Sequence, residues 1–219
     1  MIVAIHQPNY LPWFGYFAKL AQSDVLVLLD DVQYSKNSYI NRVQVLNGDR
    51  RHWITIPVHV RLGVAIDAVS PAKPNWGRSH CDTLLTLYRR APAFRSVWPD
   101  IVALFDSAPR DSIAAINAHF IKGFAELLGL SRRIVQSSAV ETSEATGDAR
   151  LAEIVAVLAP GATYLSGSGG RKYQDPATFD ARGITLRYSR FAHPQYDQGA
   201  CGFEAGLSVV DAAFRIGWA

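Results

Sequence analysis

The chain has 219 residues, 49% of them apolar and 19% charged, with 16 glycines and 11 prolines. A chain of this length can bury a large core without metals or disulfides, and its composition excludes long disorder, a collagen-like repeat and a cysteine-stapled miniprotein. Twenty-two basic against 19 acidic residues leave a net charge of +3, too mild for the dense basic stripe of a nucleic-acid surface.

Short apolar runs alternate with helical patterns. Residues 2–6 form the first candidate strand, followed by a helical stripe of Phe14, Phe17, Leu20 and Ala21. Residues 25–30 open with five apolar positions, Val25 to Leu29, as expected of a strand covered on both faces. A third strand is expected over 53–58, where Pro57 lacks a backbone donor and marks an edge or an end. A helix begins near Ser79 with Leu84, Leu85, Leu87 and Tyr88. The clearest helix runs over 111–128, capped by Asp111, with Ile113, Ile116, Phe120, Phe124 and Leu127 on one face and Gly129 as its stop. Strands are expected over 133–137, 163–166 and 184–188. Residues 137–147, rich in Ser, Thr and Glu, are the best candidate for a mobile loop. Leu151, Ile154, Val155 and Leu158 repeat the helical pattern before Pro160-Gly161. Ser208 with Asp211 three residues on resembles a capping box for a last helix through Phe214.

This alternation predicts an α/β fold, Rossmann-like, with a mainly parallel sheet and a helical insertion around residues 71–128. A single domain is expected, 71–128 being a helical subdomain within it. No run of 18 apolar residues exists, so no membrane span is expected. The opening Ile2-Val3-Ala4-Ile5 lacks a basic leader and a cleavage site. Cys81 and Cys201 match no zinc or redox spacing. The expectation is a reduced, cytoplasmic protein with no metal site.

Chemistry-bearing residues gather at the ends of the predicted strands, where α/β folds place ligands. His6-Gln7-Pro8-Asn9-Tyr10-Leu11-Pro12-Trp13 follows the first strand. His6 is a candidate acid–base group, and Gln7, Asn9, Tyr10 and Trp13 are candidate lining residues. The second strand leads into Asp30 and Asp31, either of which suits a base, a ribose or a cation. The polar stretch 34–42 has neither period and reads as a loop. Its Tyr34, Lys36, Asn41 and Arg42 suit a nucleotide or sugar phosphate, since Arg grips phosphate with paired hydrogen bonds. Ser166-Gly167-Ser168-Gly169-Gly170-Arg171-Lys172 follows the strand at 163–166. Here Ser166, Gly167 and Gly169 suggest an anion nest, and Arg171 and Lys172 add charge, though the spacing is neither a P-loop nor a dinucleotide fingerprint. In the last polar run His193 is a candidate general base oriented by Asp197, with Tyr196 and Gln198 beside it. His52, His59, His80 and His119 read as ordinary. Residues 7–16, 30–42, 166–173 and 193–198 are expected to share one cleft.

These blocks resemble the WbqC-like protein family. The resemblance rests on His6 through Phe17, Leu29-Asp30-Asp31-Val32-Gln33-Tyr34-Ser35-Lys36, Asn41-Arg42, Tyr164-Leu165-Ser166-Gly167 with Tyr173, His193-Pro194-Gln195-Tyr196 with Gln198, and Leu207-Ser208 with Asp211 and Gly217. It covers nearly the whole chain. It implies a transferase in the biosynthesis of O-antigen or other bacterial surface polysaccharide, passing a glycyl, other aminoacyl or acyl group to an amino sugar or sugar nucleotide. Trp13-Phe14-Gly15-Tyr16 also falls where nucleotidylyltransferases and pantothenate-synthetase-like ligases carry His-x-Gly-His, with Trp and Tyr in place of both histidines. That second resemblance implies an ATP-dependent adenylating ligase as the alternative; no cofactor is predicted from spacing, and the use of ATP and Mg²⁺ is left open by the sequence. A non-catalytic nucleotide-sugar-binding protein is the reading from another class, and assembly into a homo-oligomer is open to each of these readings.

Overall fold

A computed structural model of the protein describes residues 1–143, 146–199 and 202–218. Cys201, and Glu144 and Ala145 of the expected loop, lie outside the described residues.

In chain order the elements begin with β1 (Ile2–His6), α1 (Phe14–Ala21), β2 (Val25–Leu28) and the strands β3 (Arg42–Asn47) and β4 (Arg50–Thr55). Three helices follow, α2 (Trp76–Tyr88), α3 (Phe94–Asp106) and α4 (Ile113–Leu127). The remainder is β5 (Arg133–Gln136), α5 (Gly147–Leu158), β6 (Thr163–Ser166), α6 (Pro176–Asp180), β7 (Thr185–Tyr188) and α7 (Val209–Ile216). Two compact units result. The first takes Met1–Gln7, Tyr16–Asp31 and Leu130–Ala192, the second Pro8–Gly15, Val32–Gly129 and His193–Ala219.

The first unit is built on a five-stranded sheet ordered β5-β2-β1-β6-β7, every neighbouring pair parallel. Counted along the chain this is the order 3-2-1-4-5 of a Rossmann-like sheet, which reverses direction between β1 and β6. The expected fold class is the observed one. Side chains alternate across the pleat, so Val3, Ile5, Val25, Val27 and Tyr164 share one core with Ala152, Val155 and Phe179 from the covering helices. Tyr164 stacks on Phe179 at 5.2 Å between ring centroids.

In the second unit the strand expected over 53–58 lies elsewhere. It ends at Thr55 and pairs antiparallel with β3 as a separate hairpin. The pairing of Asn47 with Arg50 leaves a two-residue turn, Gly48-Asp49, and Gly48 takes φ +59° there. Such a turn needs a left-handed residue, which glycine supplies without strain. Residues 71–128 hold α2, α3 and α4. Their apolar faces meet in an aromatic core of Tyr10, Trp76, Phe105, Phe120 and Phe124. The cap of α4 is Ser112, whose side chain accepts from Ala115 N, rather than the expected Asp111. Ser208 caps α7 through Val210 N, but Asp211 does not close the capping box, because Tyr88 and Tyr196 take its carboxylate. No helix among the described residues is long and apolar enough to cross a membrane.

Candidate functional site

A cavity of about 650 Å³ in the second unit gathers four of the expected ligand residues, Tyr34, Lys36, Asn41 and Arg42. Backbone pairing brings the two sides of its wall together: Tyr34 N donates to Val64 O, and Ile66 N to Val32 O. Asn41 and Ile56 exchange two hydrogen bonds, Ile56 N to Asn41 O and Asn41 Nδ2 to Ile56 O, both 2.8 Å. This clamp fixes where β3 begins. Arg42 is held on two sides, its guanidinium carbon 4.2 Å from the centre of the Trp53 ring and Nη2 donating to the Asn37 carbonyl. Asn37 adopts φ +58° to present that carbonyl, a conformation Asn tolerates better than most residues. Arg42 Nε is buried without an acceptor among the described residues. His59 and Arg61 complete the polar lining, which contains no carboxylate. Burial raises the Tyr34 phenol above its ordinary range, and the neighbouring Arg42 charge opposes that rise.

In the first unit Asp30 is 1% exposed. Oδ1 accepts from Ser138 N at 3.0 Å and Oδ2 from Gln136 Nε2 at 2.7 Å and Ser138 Oγ at 2.9 Å. Asp30 N donates to Ser137 Oγ. The carboxylate therefore clasps the chain beyond β2 to the chain beyond β5. Asp31 accepts from Ser137 Oγ at 2.5 Å and pairs with Arg150. The two adjacent carboxylates thus share Ser137 Oγ, while the Arg150 charge offsets that of Asp31.

His6 Nδ1 donates to Gln7 O at 2.9 Å, which leaves the Nε2 lone pair available. Burial, then the nearby Lys19 charge, lower its pKa from 6.5 to about 4, so the ring is neutral near pH 7. Lys19, not singled out from the sequence, is 4% exposed, and Nζ donates to Ile5 O at 2.6 Å. Because His6 O accepts from Leu29 N on the β2 side, the Ile5 carbonyl faces β6, beyond the last β1–β6 pair, Ala4 with Leu165. Lys19 thus occupies the place where the sheet reverses its order.

The glycine-rich run forms a 3-10 turn, Ser168–Lys172, and none of its three glycines takes a positive φ. Its backbone is therefore not the alternating-handed nest the glycines suggested. Gly170 is the tight position of the three: a Cβ there would lie 2.3 Å from Gln174 Oε1 and 2.6 Å from Ser166 Oγ, so these side chains would have to shift, while Gly167 and Gly169 face open space. Ser166 is buried, whereas Arg171 and Lys172 are exposed.

In the second unit Trp13 and His193 stack, with ring centroids 5.6 Å apart and planes at 28°. His193 Nε2 accepts from Gly206 N at 2.8 Å, and burial lowers its pKa. The lone pair a general base would use is thereby occupied. Asp197, expected to orient this histidine, accepts instead from Gly199 N at 2.7 Å. Tyr196 donates to Asp211 Oδ2 at 2.8 Å, and Tyr88 donates to Oδ1 at 2.5 Å. Desolvation raises the pKa of this fully buried acid. Gln198 spends both ends of its amide on the Glu204 backbone. Tyr10 is fully buried and donates to His80 Nδ1 at 2.7 Å, while His80 Nε2 donates to Thr55 O. Asn9 is 8% exposed.

The expected cleft residues accordingly divide by unit. Gln7, His6, Asp30, Asp31 and 166–172 belong to the first; Asn9, Tyr10, Trp13, 34–42 and 193–198 belong to the second. His59, Arg61, Lys19 and the Tyr88–Asp211 pair were missed. A single His or Arg in a loop carries no periodic signal, and Lys19 sits on an otherwise ordinary amphipathic helix. Among the described residues, no three His, Cys, Asp or Glu stand together as a metal site.

The model of the WbqC-like protein family matches residues 7–219. The chain is also similar to the uncharacterized protein Rv1507c of Mycobacterium tuberculosis, at 29% identity over 218 residues, covering 98% of this chain and 94% of that one.

Proposed function

Because the chain belongs to the WbqC-like protein family, we propose that the basic cavity binds a sugar nucleotide or sugar phosphate and that the protein transfers an aminoacyl or acyl group to an amino sugar. One observation carries the reading: Lys36, Arg42 and Arg61 line a single concavity without a carboxylate. Cations around a pocket with no acid favour an anion. Arg42, already oriented by Trp53 and Asn37, loses little side-chain freedom when it grips one. The volume of about 650 Å³ falls within the range of small-molecule sites.

In the transfer, the amino-sugar nitrogen attacks the acyl carbon of an activated donor. An N–C bond forms, the bond from that carbon to its oxygen or sulfur leaving group breaks, and the leaving group departs with the electron pair. The amine proton passes to a base, for which His59 is the group in this lining. Asp30, with donors on both oxygens, and His193, with Nε2 occupied, are assigned positioning parts.

The test has two stages. Binding of UDP- and dTDP-amino sugars is measured by calorimetry on wild type and Arg42→Ala, with an affinity loss of about tenfold or more expected for the variant. Products formed with glycine and ATP, or with acyl thioesters, are then sought by mass spectrometry. Binding that ignores Arg42 refutes the pocket assignment. Tight binding without turnover across donors refutes the transferase and leaves a binding protein.

A further inference from the structure

The first unit holds a second cationic concavity. A cleft of about 510 Å³ is lined by Arg171, Arg187 and Arg190, with Tyr188, Gln22 and the apolar Leu165 between them. No acid lines it, and none of the three arginines has a carboxylate at ion-pair distance among the described residues. The arginines come from three places: the turn after β6, the strand β7, and the chain beyond β7. One of the groups is held in position: Arg171 lies over the Tyr188 ring at 4.8 Å. Gln22 Nε2 donates to the Arg190 backbone carbonyl at 3.4 Å, which ties down that stretch of chain.

An edge strand often carries charge to discourage pairing with another chain, and β7 is an edge of the sheet. That accounts for Arg187. It does not account for Arg171 and Arg190, which lie off the strand yet line the same cleft. Three like charges about one hollow repel one another, and a bound anion removes that cost. Each guanidinium offers a planar fork that matches two phosphate oxygens, so three of them suit a ligand with more than one phosphate.

We propose that this cleft is a second anion site, seating the phosphates of the activated acyl donor. The assignment to the donor rests on the transferase reading above, because a transfer reaction needs two substrates and the cavity lined by Arg42 takes the sugar. Acyl groups are activated either by ATP, whose triphosphate is bound before pyrophosphate leaves and an adenylate forms, or as thioesters of coenzyme A, which carries a diphosphate and a 3′-phosphate; with either carrier the site meets more than one phosphate.

The experiment measures binding of ATP, coenzyme A and inorganic pyrophosphate to the full chain by calorimetry at two salt concentrations. The wild type is compared with the triple variant Arg171→Ala, Arg187→Ala, Arg190→Ala and with the charge-preserving Arg187→Lys. The triple variant is expected to lose about tenfold or more in affinity for pyrophosphate and for one of the two carriers, and Arg187→Lys to lose less. Its affinity for the UDP-amino sugar is expected to stay within about twofold of wild type. Sensitivity of ATP identifies an adenylating donor, and sensitivity of coenzyme A a thioester. Unchanged pyrophosphate and carrier binding in the triple variant, with its circular dichroism and melting temperature retained, overturns the site. Loss of the UDP-amino sugar instead overturns the division between the two sites. Failure of Arg42→Ala to weaken the UDP-amino sugar, with pyrophosphate still lost in the triple variant, sinks the sugar reading and leaves this anion site standing.

Discussion

Lys19 gives the sharpest test of how the first unit balances burial against charge. Burial lowers its pKa from 10.5 to about 8. At about 1.4 kcal/mol per pH unit, that drop represents about 3 kcal/mol of disfavoured charge in the folded state. The unfolded chain holds the proton more tightly, so between pH 8 and 10.5 it binds more protons than the folded one. Stability therefore rises with pH across that window, and the full penalty applies near pH 7. Lys19→Met keeps most of the apolar stem and removes the charge, but it leaves the Ile5 carbonyl without its donor. An orphaned buried carbonyl costs about 1–2 kcal/mol.

The balance predicts that Lys19→Met is more stable than wild type by about 1–2 kcal/mol at pH 7, and that the gap closes or reverses by about pH 10. Urea unfolding followed by far-ultraviolet circular dichroism measures both. Tryptophan fluorescence does not serve, since all five tryptophans fall in the second unit and Lys19 in the first. The His6 pKa, lowered partly by Lys19, should rise from about 4 in the variant, as read by imidazole NMR shifts. A variant less stable than wild type at pH 7, or a gap equal at pH 7 and pH 9.5, refutes the reasoning.

Two further substitutions probe the loops at the strand ends. Asp30→Ala strands donors from Gln136 and Ser138 in a buried place, and a loss of about 3 kcal/mol or more is expected in urea unfolding; a loss below about 1 kcal/mol would show that the clasp is not structural. Gly170→Ala drives a Cβ against Gln174 and Ser166 and should lower the unfolding midpoint by the equivalent of about 1–3 kcal/mol, whereas Gly169→Ala, facing open space, should stay within about 0.5 kcal/mol.

The parallel sheet was legible because its strands are short apolar runs between turn formers, and the run at Val25 is buried along its whole length. The hairpin was not. Arg42–Asn47 alternates Val43 and Val45 with Arg42 and Gln44, and Asn47-Gly48-Asp49 is a tight-turn signal, but the polar loop before it absorbed the strand's first residue. Chemical capability was legible at the level of residue type, and its use was not. Tyr10 and Asp30 carry the groups that sites use, yet each meets a partner far along the chain: His80, and Gln136 with Ser138. No spacing rule within a segment predicts such long-range pairing.

What separates the candidates is hydrogen-bonding capacity left over after folding. Asp30, Gln198 and Tyr196 have their side-chain groups engaged by the fold, and altering them should appear first in stability. Arg42 keeps an unmatched Nε–H, and Arg171, Arg187 and Arg190, which line the first unit's cleft, have no carboxylate at ion-pair distance among the described residues. A net charge of +3 conceals this, because it averages over the chain what the two hollows concentrate. Arg51, on the strand β4 that pairs with β3, shows the contrast: Glu204 holds its charge at 2.7 Å, and it lines neither hollow. If the two hollows take anions as proposed, substituting the arginines that the fold leaves without a carboxylate should change affinity before it changes stability.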